Sequence, residues 1–459
     1  MRLSYMKEKL KFPAFLCLCL IMAACGAEAP RPAITQSGPM VPKPLPDVEG
    51  SPLTIAPAQQ DQPKIQAVEK IKIGIMLPLS GTEAITGQAL LRAAVMALFD
   101  AYDPRLVLLP LDTKADPDET EIVAQKAIDE GVSIVLGPLL STNLQIAGEI
   151  LDTAGIPLIG FSNDSSVAAP GHYIMGFMPE TEVKRVVDHA VAVGLLEHAA
   201  LIPDGLYGSR VRAAFGDAVS TAGGTIAAIE NYPPDPDAVF EPVKRLSNYD
   251  KRRKDMRDEI RFLRSLRDDL TDELADELSK KEVLEGITYD AVLLPEGGEL
   301  LGTLAPLLPF YEIDPNTVKL LGTGLWNDPG LLREPPLQGA WFAAPHPDAP
   351  TAFLKRQMNS FGESPPRIAT LAYDAMSLVA HLVRSHESGG SGLIFSNDVL
   401  MRETGFSGLD GLFRFLPDGT IERSLAVLEI DRSGFKIVDP APLAFPSFGY
   451  ALRQPAFPE

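Results

Sequence analysis

The stretch Ile71-Lys72-Ile73-Gly74-Ile75-Met76-Leu77-Pro78-Leu79-Ser80-Gly81 decides the fold. Its first seven residues form a nearly continuous apolar run, the mark of a buried strand, and Pro78 with Ser80-Gly81 ends it. Downstream, residues 89–99 place Leu90, Leu91, Ala94, Val95 and Leu98 at helical spacing. Residues 105–111 read as a second strand and 119–130 as a helix closed by Gly131. Residues 132–136 are a third strand, 143–153 a helix and 156–160 a fourth strand. Strands alternating with helices of this length predict βαβ units and a parallel sheet.

The alternation restarts after residue 180, with strands predicted at 199–202, 225–231, 289–294 and 318–321 and a helix at 209–222. This second set predicts a second α/β lobe. Near the end, Leu412-Phe413-Arg414-Phe415, the turn Pro417-Asp418-Gly419 and residues 425–430 read as a β-hairpin. Two α/β lobes predict a ligand cleft between them, because open sheets bind ligands at their carboxyl edges.

The N-terminus carries Arg2, Lys7, Lys9 and Lys11, then an apolar run from 12 to 24 and the small pair Ala23-Ala24 before Cys25. A basic segment, a short apolar segment and small residues before a cut define a secretory signal peptide over 1–24. The order at the cut resembles a bacterial lipobox, with Met22 where the pattern usually has Leu. That resemblance implies that Cys25 is lipidated and becomes the mature N-terminus, and that Gly26 directs the protein to the periplasmic leaflet of the outer membrane. Each buried CH₂ of the acyl chains is worth ~0.8 kcal/mol, so the implied lipid anchor holds the chain on a membrane.

The chain has 459 residues, a net charge of −20 and three cysteines, Cys17, Cys19 and Cys25. Losing residues 1–24 removes four basic and one acidic side chain and takes the charge to −23. The mature chain then keeps only Cys25, which excludes an internal disulfide and a thiolate metal cluster. Such an acidic chain does not bind nucleic acid through its phosphates. Residues 25–70 form a proline-rich linker, with nine prolines between 26 and 70. At ~3.1 Å per residue its extended reach is on the order of 140 Å, enough to carry the folded part well away from a membrane.

No catalytic pattern emerges. The six histidines contain no HExxH pair, there is no P-loop or GxSxG elbow, and Gly322-Thr323-Gly324 lacks the third glycine of a dinucleotide fingerprint. The sequence therefore predicts no enzyme, no cofactor and no metal site. Loop chemistry does stand out. Ser141 and Thr142, in Gly137-Pro138-Leu139-Leu140-Ser141-Thr142-Asn143, place hydroxyls at a helix start, where free N–H groups attract a carboxylate. Ser162-Asn163-Asp164-Ser165 follows the next strand in the same way, and helix capping is the alternative role for both loops.

An insert at about 240–285 keeps Met256, Ile260, Leu263, Leu270 and Leu274 at helical spacing among dense charge. Residues 250–267 hold eight Lys/Arg against four Asp/Glu, whereas 268–282 hold seven Asp/Glu against two Lys. A basic limb before an acidic limb predicts a helical hairpin. It is either a solvated pair packed on the second lobe or a docking arm for a protein partner, with Arg252, Arg253 and Arg257 as the candidate docking residues.

Ile73 to Gly81, the run from Gly137 to Asn143, Ile156 to Ser162, Leu206-Tyr207-Gly208 and the C-terminal hairpin together resemble the leucine/isoleucine/valine-binding type of periplasmic binding protein over 71–459. The resemblance implies a type I periplasmic-binding-protein-like fold of two doubly wound α/β lobes joined by a three-crossover hinge. Lobe 1 would take 71–182 and 348–436, and lobe 2 would take 183–347 and 437–459. By position, Ser141 matches a serine that binds a ligand carboxylate, Asn163-Asp164 a loop with further polar contacts, and Tyr207 a tyrosine over the cleft. Amino-acid receptors hold the ligand ammonium with an acid in a Gly-Pro-Glu-Gly context. Residues 321–326 here carry none, and Glu296 in Leu294-Pro295-Glu296-Gly297 is the candidate replacement.

The anchor, the linker, the charged insert, Leu320-Leu321-Gly322-Thr323-Gly324-Leu325-Trp326 and Ser407 to Phe415 resemble more specifically the penicillin-binding protein activator lipoproteins. That implies stimulation of a peptidoglycan synthase as the partner. The alternative is a transport receptor for amino acids or related small solutes.

Overall fold

The structure is a computed structural model describing residues 69–284, 286–387 and 392–447. The leader 1–24, Cys25 and nearly all of the linker lie outside the described residues. Strand β1 (Ile71–Leu77) sits between β2 (Leu106–Asp112) and β3 (Ile134–Leu136), and β4 (Leu158–Gly160) and β5 (His172–Ile174) extend the sheet in the order β2-β1-β3-β4-β5. All of its ladders are parallel. Parallel strands need helical crossovers, supplied here by α1 (Ala84–Ala101), α2 (Pro117–Asp129) and α3 (Ser141–Asp152). Helix α2 starts where Asp116 accepts the Glu119 N–H at 2.9 Å with Pro117 in the first turn.

Helix α4 (Pro179–Ala192) begins the second lobe, followed by β6 (Glu197–Pro203), α5 (Leu206–Ala222) and β7 (Thr225–Tyr232). The insert then forms α6 (Phe240–Leu246), α7 (Tyr249–Ser265) and α8 (Asp269–Leu278). After it come β8 (Ala291–Leu293), α9 (Gly298–Phe310), β9 (Lys319–Gly322) and β10 (Trp341–Ala344). The chain returns to the first lobe with α10 (Thr351–Phe361), α11 (Ala369–Glu387), α12 (Asn397–Leu400) and a small antiparallel sheet of β11 (Phe406–Gly408), β12 (Gly411–Phe415) and β13 (Ile421–Arg423). It crosses once more into β14 (Ala426–Asp431) and β15 (Gly434–Asp439), completing a second sheet in the order β15-β14-β10-β9-β8-β6-β7.

This last crossing corrects two expectations. Strand β12 pairs with β13, not with residues 425–430, and β14 lies between β10 and β15 in the second lobe. The change of lobe therefore falls at Ser424-Leu425 instead of after 436. The physical reason is burial: β14 puts Ala426, Leu428 and Ile430 into one core of the second lobe and Val427 into the other, as a central strand does, whereas a surface hairpin arm would be wet on one face.

The first core joins the inner face of α1 (Leu90, Ala93, Ala94, Ala97) to that of α11 (Ala372, Ala375, Met376, Val379) and to both faces of β1 and β3. Burying each large side chain contributes about 1.5–3 kcal/mol. Helix α1 is long and apolar enough to span a membrane, but here it is a core helix packed on α11. The second lobe has a core on each side of its sheet, one holding Trp326, Phe342 and Leu304, the other Val186, Phe215 and Leu293.

Candidate functional site

The carboxyl ends of both sheets face a cavity of about 830 Å³ between the lobes. The first lobe lines it with the loop after β3 (Leu139 to Ser141), the loop after β4 (Phe161 to Asp164), Phe177 and the start of α11 from Arg367 to Leu371. The second lobe contributes Glu182 of α4, Leu206, Tyr207 and Arg210 at the start of α5, and Gly324, Leu325 and Asn327 after β9. Both apolar and polar groups converge, as in small-molecule clefts.

Ser141, Asn163, Asp164 and Tyr207 are thus brought together from three separate segments. Burial alone would raise the Asp164 carboxyl. The Ser166 hydroxyl and N–H, Arg210 and a hydrogen bond from Ser141 outweigh it and hold Asp164 below the ordinary value. Tyr207 lies across the cleft, its hydroxyl 3.4 Å from Thr323 Oγ1 and pushed up to about 12 by burial. Gly208 sets this position: a Cβ there would lie 1.7 Å from the Pro203 carbonyl, so α5 starts tight against the end of β6. Thr142 is not brought in. It is exposed on α3 and lies off the cavity wall, because one residue along a helix turns a side chain by ~100°.

Arg210 works between the lobes. Its Nε donates to Glu180 Oε1 at 2.8 Å and its Nη2 to Glu180 Oε2 at 2.9 Å, within the second lobe. The same Nη2 donates to the Asn163 carbonyl of the first lobe at 2.7 Å, and Ser165 Oγ donates across to Glu180 Oε1 at 2.8 Å. This cluster straps one edge of the cleft. On the opposite wall Arg367 forks onto Asp410 and stacks 5.0 Å from the Phe177 ring.

Glu296 does not stand in for the absent acid. Its carboxylate accepts from the Tyr232 hydroxyl at 2.8 Å and from the Gly297 N–H at 3.0 Å, and it is not on the cavity wall. Beside Asp164 and Glu83, the cleft wall carries Glu182, 6% exposed, with Oε2 accepting the Gly324 N–H at 2.9 Å. Burial pushes this carboxyl up to about 8. Arg210, Arg367 and Glu182 had no distinguishing signal in the sequence, since each sits at an ordinary charged position near a helix start.

The insert is a helical hairpin, with α7 laid along α8 and Arg264 bridged to Asp276 at 3.1 Å. Its three candidate docking residues separate. Arg252 is buried, and its guanidinium donates to the Leu284 carbonyl at 2.9 Å and the Ser247 carbonyl at 3.4 Å, so it fastens the hairpin to the lobe and is removed as a docking residue. Arg253 and Arg257 are exposed. Among the described residues no group of three or more His, Cys, Asp and Glu is placed to hold a metal ion.

Residues 70–249 match the periplasmic binding protein family. An uncharacterized protein of Rickettsia prowazekii is 24% identical over 182 residues, 39% of this chain and 48% of that protein. The penicillin-binding protein activator LpoA of Vibrio vulnificus is 27% identical over 159 residues, 33% of this chain and 26% of that protein. The chain thus spans about half of the first relative and a quarter of the second. A branched-chain amino acid ABC transporter periplasmic ligand-binding protein from Burkholderia xenovorans superposes with a TM-score of 0.57 at 16% identity, over 82% of this chain and 95% of that one. The fold is that of the type I periplasmic binding proteins.

Proposed function

We propose that this chain, which has the leucine-binding type of periplasmic fold and is related to the penicillin-binding protein activators, is a non-enzymatic regulator that binds and activates a peptidoglycan synthase. In this reading Cys25 carries the lipid, the outer membrane holds it, and the linker lets the two lobes reach an enzyme on the inner membrane. The observation that carries it is the likeness to the Vibrio activator in a chain that also bears a charged helical hairpin. Arg253 and Arg257 are exposed on that hairpin and available to a partner. The test is direct binding: the immobilised full chain should retain the purified synthase, and deletion of 244–284 should reduce retention at least tenfold. Undiminished retention by the deletion would remove the hairpin from the interface.

The cleft itself favours a second reading, a receptor for a small amphiphilic solute. Ser141 and Asn163 would hold a carboxylate at the start of α3, Asp164 would add a polar contact, and Tyr207 would cover the ligand from the other lobe. A melting shift with any amino acid or cell-wall fragment would support this reading, since a ligand at a hundredfold excess over its Kd stabilises by ~2.7 kcal/mol.

A further inference from the structure

The hairpin carries a second surface, distinct from its arginines. Phe262 (57% exposed), Leu266 (51%), Leu270 (64%) and Leu274 (47%) are all open to solvent at its far end. Helical spacing places them together. On α7 the buried face runs through Arg252, Met256 and Leu263; Arg253, Arg257 and Arg264 fall on one flank, and Phe262 and Leu266 on the other. On α8 Ala275 is buried, Asp272 and Asp276 fall on one flank, and Leu270 and Leu274 on the other. The Arg264–Asp276 bridge fixes which flanks coincide, so the four apolar side chains form one stripe on the side away from the arginine row.

Glu259, Glu273 and Glu277 border that stripe, and none has an ion-pair partner among the described residues. Asp255 and Asp258 on the same flank of α7 are neutralised by Lys251, Lys254 and Arg261, and Arg267 stands exposed at the turn. A second copy laid on the stripe would bring two sets of Glu259, Glu273 and Glu277 into one interface, a like-charge arrangement that disfavours self-pairing.

We propose that the stripe Phe262-Leu266-Leu270-Leu274 receives a basic amphipathic helix of a partner protein, its apolar row on the leucines and its Lys/Arg on the three free glutamates. The proposal deepens the reading of the insert as a docking arm and rests on it. It also reverses the charge of the partner segment from what the arginine row alone would select.

The probe is an 18-residue fluorescent peptide of Leu and Lys at helical spacing, compared with the same peptide carrying Glu for Lys. Binding to the full chain is followed by anisotropy at 0.15 M salt. The Lys peptide should bind, and the Glu peptide should bind at least tenfold more weakly. The double variant Leu270→Ser, Leu274→Ser should lose tenfold or more of the Lys-peptide affinity. Glu259→Gln, Glu273→Gln, Glu277→Gln should lose several-fold and flatten the salt dependence. The control Asp118→Asn, Glu121→Gln on α2 should change nothing; all of these positions are exposed, so the variants should melt as the parent does. Equal binding of the two peptides, full binding by the stripe variant, or a dimer in sedimentation that the stripe variant abolishes would overturn the proposal. Because the readout needs no synthase, failure of the peptide to bind overturns the surface alone. Failure of the parent chain to bind the synthase overturns the proposed function and leaves the peptide result in place.

Discussion

The Glu182 carboxyl, on the first turn of α4, accepts the backbone N–H of Gly324 at 2.9 Å, so a buried acid reaches the cleft loop after β9, where residues 321–326 carry none of their own. Gly324 must be glycine for this contact, because a Cβ there would stand 2.3 Å from Glu182 Oε1.

The folded protein holds Glu182 at about 8 against an ordinary 4.5, so folding takes up a proton between these values. Its contribution to stability is complete below pH 4.5 and is lost as pH rises through 8, with a slope approaching about 1.4 kcal/mol per pH unit. Asp374 acts in the same direction but is raised only to about 6. Urea midpoints measured between pH 6 and 8 should therefore fall for the parent and stay nearly level for Glu182→Gln. Parallel curves would contradict this assignment.

Arg210→Ala should loosen the lobes. The substitution removes the fork onto Glu180 and the 2.7 Å bond to the Asn163 carbonyl across the cleft edge. Small-angle scattering should show a larger radius of gyration, with secondary structure unchanged. An unaltered scattering curve would mean that the crossovers alone hold the lobes.

The three arginines of the insert should part company. Arg252→Ala leaves the Leu284 and Ser247 carbonyls without their donor and should cost about 1–3 kcal/mol in denaturant unfolding. Arg253→Glu and Arg257→Glu, both exposed, should shift stability by no more than about 0.5 kcal/mol yet weaken synthase retention several-fold.

If a solute occupies the cleft, Ser141→Ala and Tyr207→Ala should each weaken it by about 1.5–3 kcal/mol, the value of a hydrogen bond to a charged group. Calorimetry with whichever solute shifts the melting point decides this; unchanged affinity in both variants would remove these residues from the binding site.

Much of the fold was legible because β1, β3 and β4 are apolar runs bounded by turn residues, a local signal that needs no tertiary context. The strand β14 was misplaced for the same reason: an apolar run announces burial but does not say in which lobe. Only its pairing with Trp341 to Ala344 reveals that the chain crosses over first. Ser141, Asn163, Asp164 and Tyr207 were readable because each follows a strand end. Glu182 was not, since Pro179-Glu180-Thr181-Glu182 looks like any acidic helix start, and its role exists only where Gly324 meets it. Arg252 was misread because nothing in a run of basic residues marks the one that turns inward.

Activation is read from the rate of glycan-chain polymerisation by the purified synthase with and without the full chain. The rate should rise several-fold at saturating protein, and the rise should be lost on deletion of 244–284. A synthase rate unchanged at any concentration of the chain would contradict activation and leave the cleft as the functional centre.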